Sequence, residues 1–404
     1  MQRLRINPAG LALYLFGLVV VSLAGMSLAG VLLYIFYLYL LFPLFSFVLL
    51  LAVIIKFRYY ENFSTEHPYK GENVSYTLLL ANETPLSGAF VDVQFKLISP
   101  DASQHLQQLT TVVKRGQTRK ETHTLTFPYR GIYKVGIDRI ELYDVLRWFV
   151  FRPKVWFRTF YVYPRIVELK RVFPTLQNVV EASGQGQGVI NDHTLFKALS
   201  EYRDGIPIRH IAWKKFASTG VPFLREYEKT SWPGVEIYLD LRREQEPHRR
   251  ILEREDCSVE ILTALVHYFL RHGVPTGVHA ANGRERFDFS GDSPSYFSEF
   301  YRETISLSFE GDVSPAEVYQ SDLRERLIRS GTIIIISHRP DAALLELALN
   351  AGRSELAVFL IINQSGLAQT EKEAQSKRIA SLSGVGKNLV CVNTSNAIKE
   401  SLEA

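Results

Sequence analysis

The stretch from Leu199 to Glu228 concentrates residues that could do chemistry. Arg203, Arg209, Lys214, Lys215 and Arg225 stand among Glu201, Asp204, Glu226 and Glu228, with Tyr202, Trp213, Phe216 and Tyr227 between them. A guanidinium grips a carboxylate through a planar fork and stacks on aromatic faces. This mixture suits a partly buried polar seam, serving as an interdomain brace or as a docking surface for another protein. It does not suit nucleic acid, because the acids nearly match the bases. A second candidate is Asp240, which closes the apolar run from Val235 and precedes Leu241, Arg242, Arg243 and Glu244. In an alternating α/β fold, ligands sit at the carboxyl ends of the strands, so this aspartate occupies a telling place.

Other patterns fail on spacing. Gly384-Val385-Gly386-Lys387 has Ser381 where a phosphate loop needs its first glycine, and Asn388 where it needs a hydroxyl. Gly184, Gly186 and Gly188 follow no apolar strand, and with Glu181, Ala182 and Ser183 they read as a flexible linker. Ser337, His338 and Asp341 do not form the Gly-x-Ser-x-Gly elbow of a nucleophile. Glu253, Glu255 and Asp256 fit a helix start, where the dipole favours acids. Cys257 and Cys391 are far apart and lack metal-ligand spacing, so they read as buried free thiols in a reducing compartment. His67, His105 and His123 are scattered. No catalytic set emerges and no cofactor is expected.

The elements that must position these residues follow from periodicity. A chain of 404 residues with 47% hydrophobic and 22% charged content is globular and too long for one core. Its net charge of +4 is too small to imply a nucleic-acid partner. Residues 59–166 alternate apolar and polar positions in short runs, Val74–Leu80, Phe90–Leu97, Glu121–Phe127, Gly131–Ile137 and Phe160–Tyr163, broken by Gly, Pro and Asn. That pattern predicts an antiparallel, Ig-like β-sandwich. Residues 167–230 read as a linker and the polar signature stretch. Residues 231–404 alternate strands (Val235–Leu241, Thr276–Ala280, Thr332–Ile336, Glu355–Ile362, Asn388–Val392) with helices (Cys257–Arg271, Asp341–Ala351, Thr370–Leu382). This order predicts a doubly wound sheet.

Residues 1–58 read as a transmembrane hairpin. From Ala9 to Ile55 no residue is charged, which as one helix would run roughly 70 Å against a hydrocarbon core of about 30 Å. Two helices fit, with the turn in Gly25–Gly30 and a kink at Pro43. Arg3 and Arg5 precede the first pass, and Lys56 and Arg58 follow the second. The positive-inside rule then puts both termini and the soluble domains in the cytoplasm, with the chain multi-pass in the inner membrane. Ser22-Leu23-Ala24 imitates a signal-peptidase site, but the apolar run continues past it without a polar break. Between Arg147 and Arg171 lie Arg147, Arg152, Lys154, Arg158, Arg165, Lys170 and Arg171 against one acid, Glu168. This run reads either as a face turned to anionic lipid or as a charge-protected edge strand.

The signature Tyr202-x-x-Gly205-x-x-x-Arg209-x-Ile211-x-Trp213-Lys214, followed by Ala217 and Arg225-Glu226-x-Glu228, resembles that of domain-of-unknown-function family 58. The resemblance extends to Lys70-Gly71-Glu72-x-Val74, Asn82, Tyr129-Arg130-Gly131-x-Tyr133, Tyr143-Asp144 and Tyr163-Pro164-Arg165. Departures are Ile206 and Ala212 where relatives carry acids, Phe216-Ala217-Ser218 after the tryptophan, and Val145-Leu146-Arg147-Trp148-Phe149 in the corner after Asp144. The resemblance implies a membrane-anchored protein with a von Willebrand A-like domain, partnered by a MoxR-type AAA+ ATPase.

A metal-binding domain of that kind carries Asp-x-Ser-x-Ser after its first strand, since a hard cation wants carboxylate and hydroxyls. Here arginines occupy the loop after Asp240, and Ser337-His338-Arg339 stands where a further aspartate belongs. Asp240 is therefore a degenerate metal site. It is expected to bind no metal and to pair with an arginine, those of the signature being candidates. The expectation is an α+β multidomain, non-enzymatic adaptor or assembly factor for an AAA+ ATPase and other membrane proteins. Its contact or brace residues are Tyr202, Arg203, Asp204, Gly205, Arg209, Trp213, Lys214, Arg225, Glu226 and Glu228. The bilayer is a partner, nucleic acid is not, and any small-molecule ligand is undefined. The alternatives are a divalent-cation-dependent ligand-binding module, and a cell-wall enzyme, which requires the opposite topology.

Overall fold

The computed structural model describes residues 3–27, 30–83, 90–98, 104–112, 117–144, 146–174, 176–177, 180, 190–201, 213–220, 223–243, 248–283, 285–325, 330–351, 357–380 and 388–404. The chain divides into two compact units, Met1–Tyr163 and Pro164–Ala404.

The first unit opens with strand β1 (Arg3–Ile6) and two helices, α1 (Pro8–Ser27) and α2 (Val31–Lys56), and α2 carries Pro43 inside it. Among the described residues, Tyr34–Lys56 is the helix long and apolar enough to cross a membrane, and Pro8–Leu23 is a shorter apolar stretch. Tyr14 and Tyr39 stack with ring centroids 5.1 Å apart, and the Tyr39 hydroxyl donates to the Tyr14 carbonyl at 3.2 Å. The last third of α2 carries a buried face. Ser46, Leu50 and Val53 recur at helical spacing on a buried face, which runs on into Phe57. Val48, Leu51 and Ile55 stay exposed on the other side.

Strand β2 (Phe57–Phe63) follows α2 without a loop and joins β3 (Asn73–Asn82) and β6 (Thr118–Thr126) in a three-stranded antiparallel sheet. The other sheet takes β4 (Phe90–Ile98), β5 (Gln104–Val112), β7 (Gly131–Tyr143), β8 (Phe149–Arg152) and β9 (Arg158–Val162), with β1 on its edge. Its path is β1-β8-β7-β4-β5, and β9 also pairs with β7. Alternate residues of β3 (Val74, Tyr76, Leu78, Leu80) and β4 (Val91, Val93, Phe95, Leu97) share one core with α2 and β7. A register shift between Gln94 and Phe95 skips one residue of β7, so Ile137 and Ile140 both face inward.

The corner from Asp144 to Phe149 is tied to the helices. The Ser46 hydroxyl donates to buried Asp144 at 2.5 Å, and the same carboxylate accepts the Phe149 and Leu146 amides at 2.9 and 3.4 Å. Asn7 donates its amide to the Trp148 carbonyl at 2.8 Å. The sequence reads a hairpin of residues 1–58 apart from the sheets, whereas here the helices belong to the sheet unit. The basic run Arg147–Arg171 is likewise divided between the two units.

The second unit is built on a mixed sheet in the order β13-β12-β11-β14-β15-β16. Its members are β11 (Phe223–Leu239), β12 (Thr276–Ala281), β13 (Arg286–Gly291), β14 (Ser330–Ser337), β15 (Ala357–Asn363) and β16 (Leu389–Val392). All pair in parallel except the edge strand β13. Strand β10 (Ile190–Glu201) pairs antiparallel with the first half of β11. The helices are α3 (Trp213–Thr219), α4 (His248–Arg271), α5 (Phe297–Glu303), α6 (Pro315–Arg324), α7 (Ala342–Ala351), α8 (Gln369–Ala380) and α9 (Ile398–Glu403).

Both sheet faces are covered. Ile334 and Ile336 of β14 pack on one side with α4 and α9, and Ile333 and Ile335 pack on the other with α6 and α7. Part of the expected linker is core: Leu169, Val172, Phe173 and Leu176 are buried with α4, and Tyr268 donates to Gln177 at 2.9 Å. Helix α4 starts at His248, nine residues before its apolar periodicity begins at Cys257. Glu253, Glu255 and Asp256 therefore lie beyond its first turn, and Asp256 is buried, so the dipole does not explain them.

Asp144 alone holds both Ser46 and the corner amides, so Asp144→Ala should destabilise the first unit by about 2–3 kcal/mol. Thermal unfolding of the full chain in detergent checks this, with a smaller loss expected for Asp144→Asn.

Candidate functional site

Strand β11 lies between β12 and β14; the chain runs outward from β11 to β12 and β13, then crosses back to β14 and continues to β15 and β16 on the other side. This reversal makes the carboxyl ends of β11 and β14 a topological switch point, where such folds bind ligands. Three short segments meet there. Asp240 follows β11, Ser337 to Asp341 follows β14, Ser314 precedes α6, and Arg242 lies on the loop after Asp240.

Arg242 fills the centre. Its Nε donates to Asp240 Oδ1 at 2.9 Å and its Nη2 donates to Asp240 Oδ2 at 2.7 Å, a two-pronged grip. Nη1 reaches Asp341 Oδ2 at 2.5 Å, and Nη2 also donates to the Arg339 carbonyl at 2.7 Å. Ser337 donates to Asp240 Oδ2 at 2.6 Å, and Ser314 donates to Asp341 Oδ2 at 2.9 Å. The Arg242 amide completes the Asp240 shell at 3.1 Å. Asp240 is fully buried and the Arg242 side chain is 9% exposed. Burial alone would lower the guanidinium pKa, but the bonds to Asp240 and Asp341 overcome this and raise it. For Asp341, burial pulls upward, and the Leu344 amide, Ser314 and Arg242 together hold the pKa below the usual carboxylate value.

The partner of Asp240 is thus an arginine of its own loop. Ser337, Ser314 and Asp341 supply oxygens that the linear motif Asp-x-Ser-x-Ser could not reveal. A faint signal existed: Ser314 before Pro315, and Asp341 before an apolar helix, are both cap positions. Two carboxylates and two hydroxyls are hard-cation donors, and here they surround a guanidinium. Beside them a small cleft is lined by Arg242, Ile251, Arg254, Glu255, Phe309 and His338. Burial pushes the His338 pKa down and so favours its neutral form, and it lowers that of Arg254 as well. Among the described residues, no group of three or more His, Cys, Asp or Glu is arranged to hold a metal ion.

A second polar cluster, missed in the sequence, lies on the same sheet toward the β13 edge. His279 of β12 meets Asp288 through Nδ1 at 2.7 Å and Glu236 through Nε2 at 3.1 Å. Arg286 bridges Asp288 and Asp322, each at 2.6 Å, and the Tyr238 hydroxyl donates to Asp322 at 3.1 Å. Ser330 donates to Glu236 at 2.9 Å. Gly277 leaves the room this requires, since a Cβ there would lie 1.7 Å from Glu236 Oε2. Burial would lower the His279 pKa, but its bonds to Glu236 and Asp288 raise it above the ordinary value. These residues are dispersed in the chain with no motif, and strand register together with the packing of α6 brings them together.

Of the signature, Tyr202, Arg203, Asp204, Gly205 and Arg209 lie outside the described residues. Arg225, Glu226 and Glu228 fall on β11, opposite Leu199, Ala198 and Asp192 of β10. Trp213 and Lys214 open α3. Trp213 is 53% exposed, edge-on to Phe216 at 6.0 Å, and does not lie within a buried seam.

No protein-family model matches the chain, and no curated protein matches it. Structural neighbours are distant. A Northeast Structural Genomics Consortium target aligns over 29% of this chain and 93% of its own length, at 11% identity and a TM-score of 0.20. The ApaA protein from Bordetella pertussis aligns over 26% of this chain and 91% of its own, at 10% identity and a TM-score of 0.20. A β-glucosidase from Listeria innocua in complex with glucose aligns over 26% of this chain but 16% of its own length, at 14% identity and a TM-score of 0.17. Likeness at this level carries no argument about fold or activity.

Removing one member of a buried pair strands the other charge, so Arg242→Ala should cost about 3–5 kcal/mol in chemical unfolding. Arg243→Ala, at an exposed neighbour, should change little. A His279 pKa raised on folding gives stability that is complete below about pH 6.5, the unfolded value. That stability is lost as pH rises through the folded value. Unfolding midpoints measured from pH 6 to pH 9 should fall more steeply for the parent than for His279→Gln.

Proposed function

We propose that this chain is a membrane-anchored interaction and assembly factor. The two apolar helices are read as a two-pass hairpin, and Arg3, Arg5, Lys56 and Arg58 as the positive-inside signal that keeps both termini and both units in the cytoplasm. The paired sheets of the first unit are read as an Ig-like sandwich, and the second unit as von Willebrand A-like. The observation that carries the reading is Arg242 held between Asp240 and Asp341. A cation-dependent module needs open coordination positions on its rim, whereas here those oxygens are bonded to a fixed guanidinium. The rim therefore offers shape and hydrogen bonds to a partner without needing a metal. The resemblance of residues 202–228 to domain-of-unknown-function family 58 supplies the partner class, a MoxR-type AAA+ ATPase.

One observation favours a second reading, a divalent-cation-dependent ligand module: Asp240, Ser337, Ser314 and Asp341 converge from separate elements. Calorimetry separates the two. On the first reading, Mg²⁺, Ca²⁺ and Mn²⁺ give no heat with the parent chain, while Arg242→Ser, which vacates the cage, gains Mn²⁺ binding that Asp240→Ala removes. Binding by the parent that is sensitive to Asp240→Ala would establish the second reading. Affinity capture of the full chain from detergent-solubilised membranes, with ATP and with ADP, should recover an AAA+ ATPase. Recovery in neither state would overturn the adaptor role.

A further inference from the structure

The first unit has an edge that its own core does not explain. Helix α1 has 20 residues, so it is about 30 Å long, the thickness of a hydrocarbon core. Several contacts mark one end of the helical pair. Asn7 binds the Trp148 carbonyl, Ser46 binds Asp144, and the Trp148 ring lies against the first turns of α1. A Cβ on Gly10 would sit 2.4 Å from that ring, and Tyr14 meets it at 5.1 Å. If α1 crosses the bilayer, this end lies at the boundary between acyl chains and headgroups. Helix α2 runs on for about ten residues beyond Ser46, roughly 15 Å, alongside the sheets.

The surface that continues past the boundary is amphipathic. Ile55 of α2 is 61% exposed, and Val48 and Leu51 share its outer face. On β1, Leu4 and Ile6 are exposed too. Exposed apolar surface of this kind on a water-facing unit calls for a partner. Cations rim it. Lys56 and Arg58 are exposed at the end of α2, and Arg5 is exposed on β1 opposite Val150. Arg147 is exposed at a left-handed φ of 56°, with its guanidinium 5.6 Å from the centre of the Tyr143 ring. Tyr and Trp beside arginine, at the end of an apolar crossing, match the chemistry of a phospholipid headgroup.

We propose that this edge is a seat for anionic phospholipid, in which Arg5 and Arg147 bind the phosphodiester and Trp148 lies at the acyl boundary. The proposal rests on the reading of the helices as a bilayer crossing and goes beyond it by naming the lipid class and the residues that select it. Arg165, in the same basic run of sequence, takes no part; it is held in the second unit by the Ser395 carbonyl at 2.7 Å and by Asn396 at 3.3 Å.

The test leaves Trp148 as sole tryptophan in the full chain (Trp156→Phe, Trp213→Phe, Trp232→Phe), reconstituted in phosphatidylcholine vesicles containing phosphatidylglycerol. Either lipid is brominated high on its acyl chain, at matched mole fraction. Brominated phosphatidylglycerol should be favoured beside Trp148 by about fivefold for each arginine engaged. Arg5→Gln with Arg147→Asn should level the two lipids, and asparagine tolerates the left-handed backbone at 147. Equal quenching by both lipids in the parent, before any arginine is changed, overturns the lipid seat while leaving the bilayer crossing intact. Quenching by neither lipid overturns the crossing and the seat together.

Discussion

The second unit depends on a charge that has nowhere else to go. Asp240 is fully buried at the end of the central strand, and an isolated carboxylate there is prohibitively costly. It could be neutralised by a proton, a metal ion or a cationic side chain. The chain uses the third solution, with a guanidinium only two residues away. The planar fork suits this role, because a single group reaches both Asp240 oxygens, Asp341 and the Arg339 carbonyl at once. The loops after β11 and β14 are thereby fixed to each other, and Asp341 also caps α7 through the Leu344 amide. A lysine could not replace these bonds, since it lacks the fork.

The first unit depends on a different economy. A long apolar helix ordinarily ends before a sheet core begins. Here α2 turns directly into β2, and its Leu50 and Val53 enter the same core as Val74 and Ile140. The helix is thereby part of the core between the two sheets. Ser46 and Asp144 sit where that shared core starts, and the carboxylate accepts the Leu146 and Phe149 amides of the corner while Asn7 holds the Trp148 carbonyl. Glu61 plays a parallel part within the sheets. Burial pushes its pKa up, while the Tyr76 hydroxyl and the Ile137 amide, both donating to it, pull the other way.

Periodicity made much of this fold legible. The strands at Val74, Phe90, Gly131 and Thr332 and the helices after Asp341 and Thr370 lie within a few residues of where alternation and apolar spacing put them. Misses have identifiable causes. The start of α4 is polar, His248 to Arg254, so its helical face shows only when Arg254 is seen buried with its Nε on the Ser365 carbonyl. Strand β1 is four residues in which arginine alternates with an apolar residue, paired as an added edge on β8. Residues 169–176 look like linker because their apolar positions pack on another element and repeat with no local period. At the site, Asp240 and the intrusion of arginine into its loop were readable. The contributions of Ser314, Ser337 and Asp341 were not, because no local pattern records a meeting of three loops.

The two polar clusters of the second unit solve the same problem with opposite consequences for pH. Around Asp240 the compensating group is an arginine, which stays charged throughout the accessible range, so the rim is held at any physiological pH. Around His279 three carboxylates, Glu236, Asp288 and Asp322, face Arg286 and a histidine. With the imidazole protonated the charges nearly balance; without its proton the carboxylates exceed the cations by two. Asp322 is fully buried, so that excess cannot be relieved by solvent at its own position. The β13 edge of the sheet therefore depends on proton concentration through His279, whereas the bonds that join Asp240 and Asp341 rest on a guanidinium that does not titrate there. That asymmetry follows from the difference between a guanidinium and an imidazole.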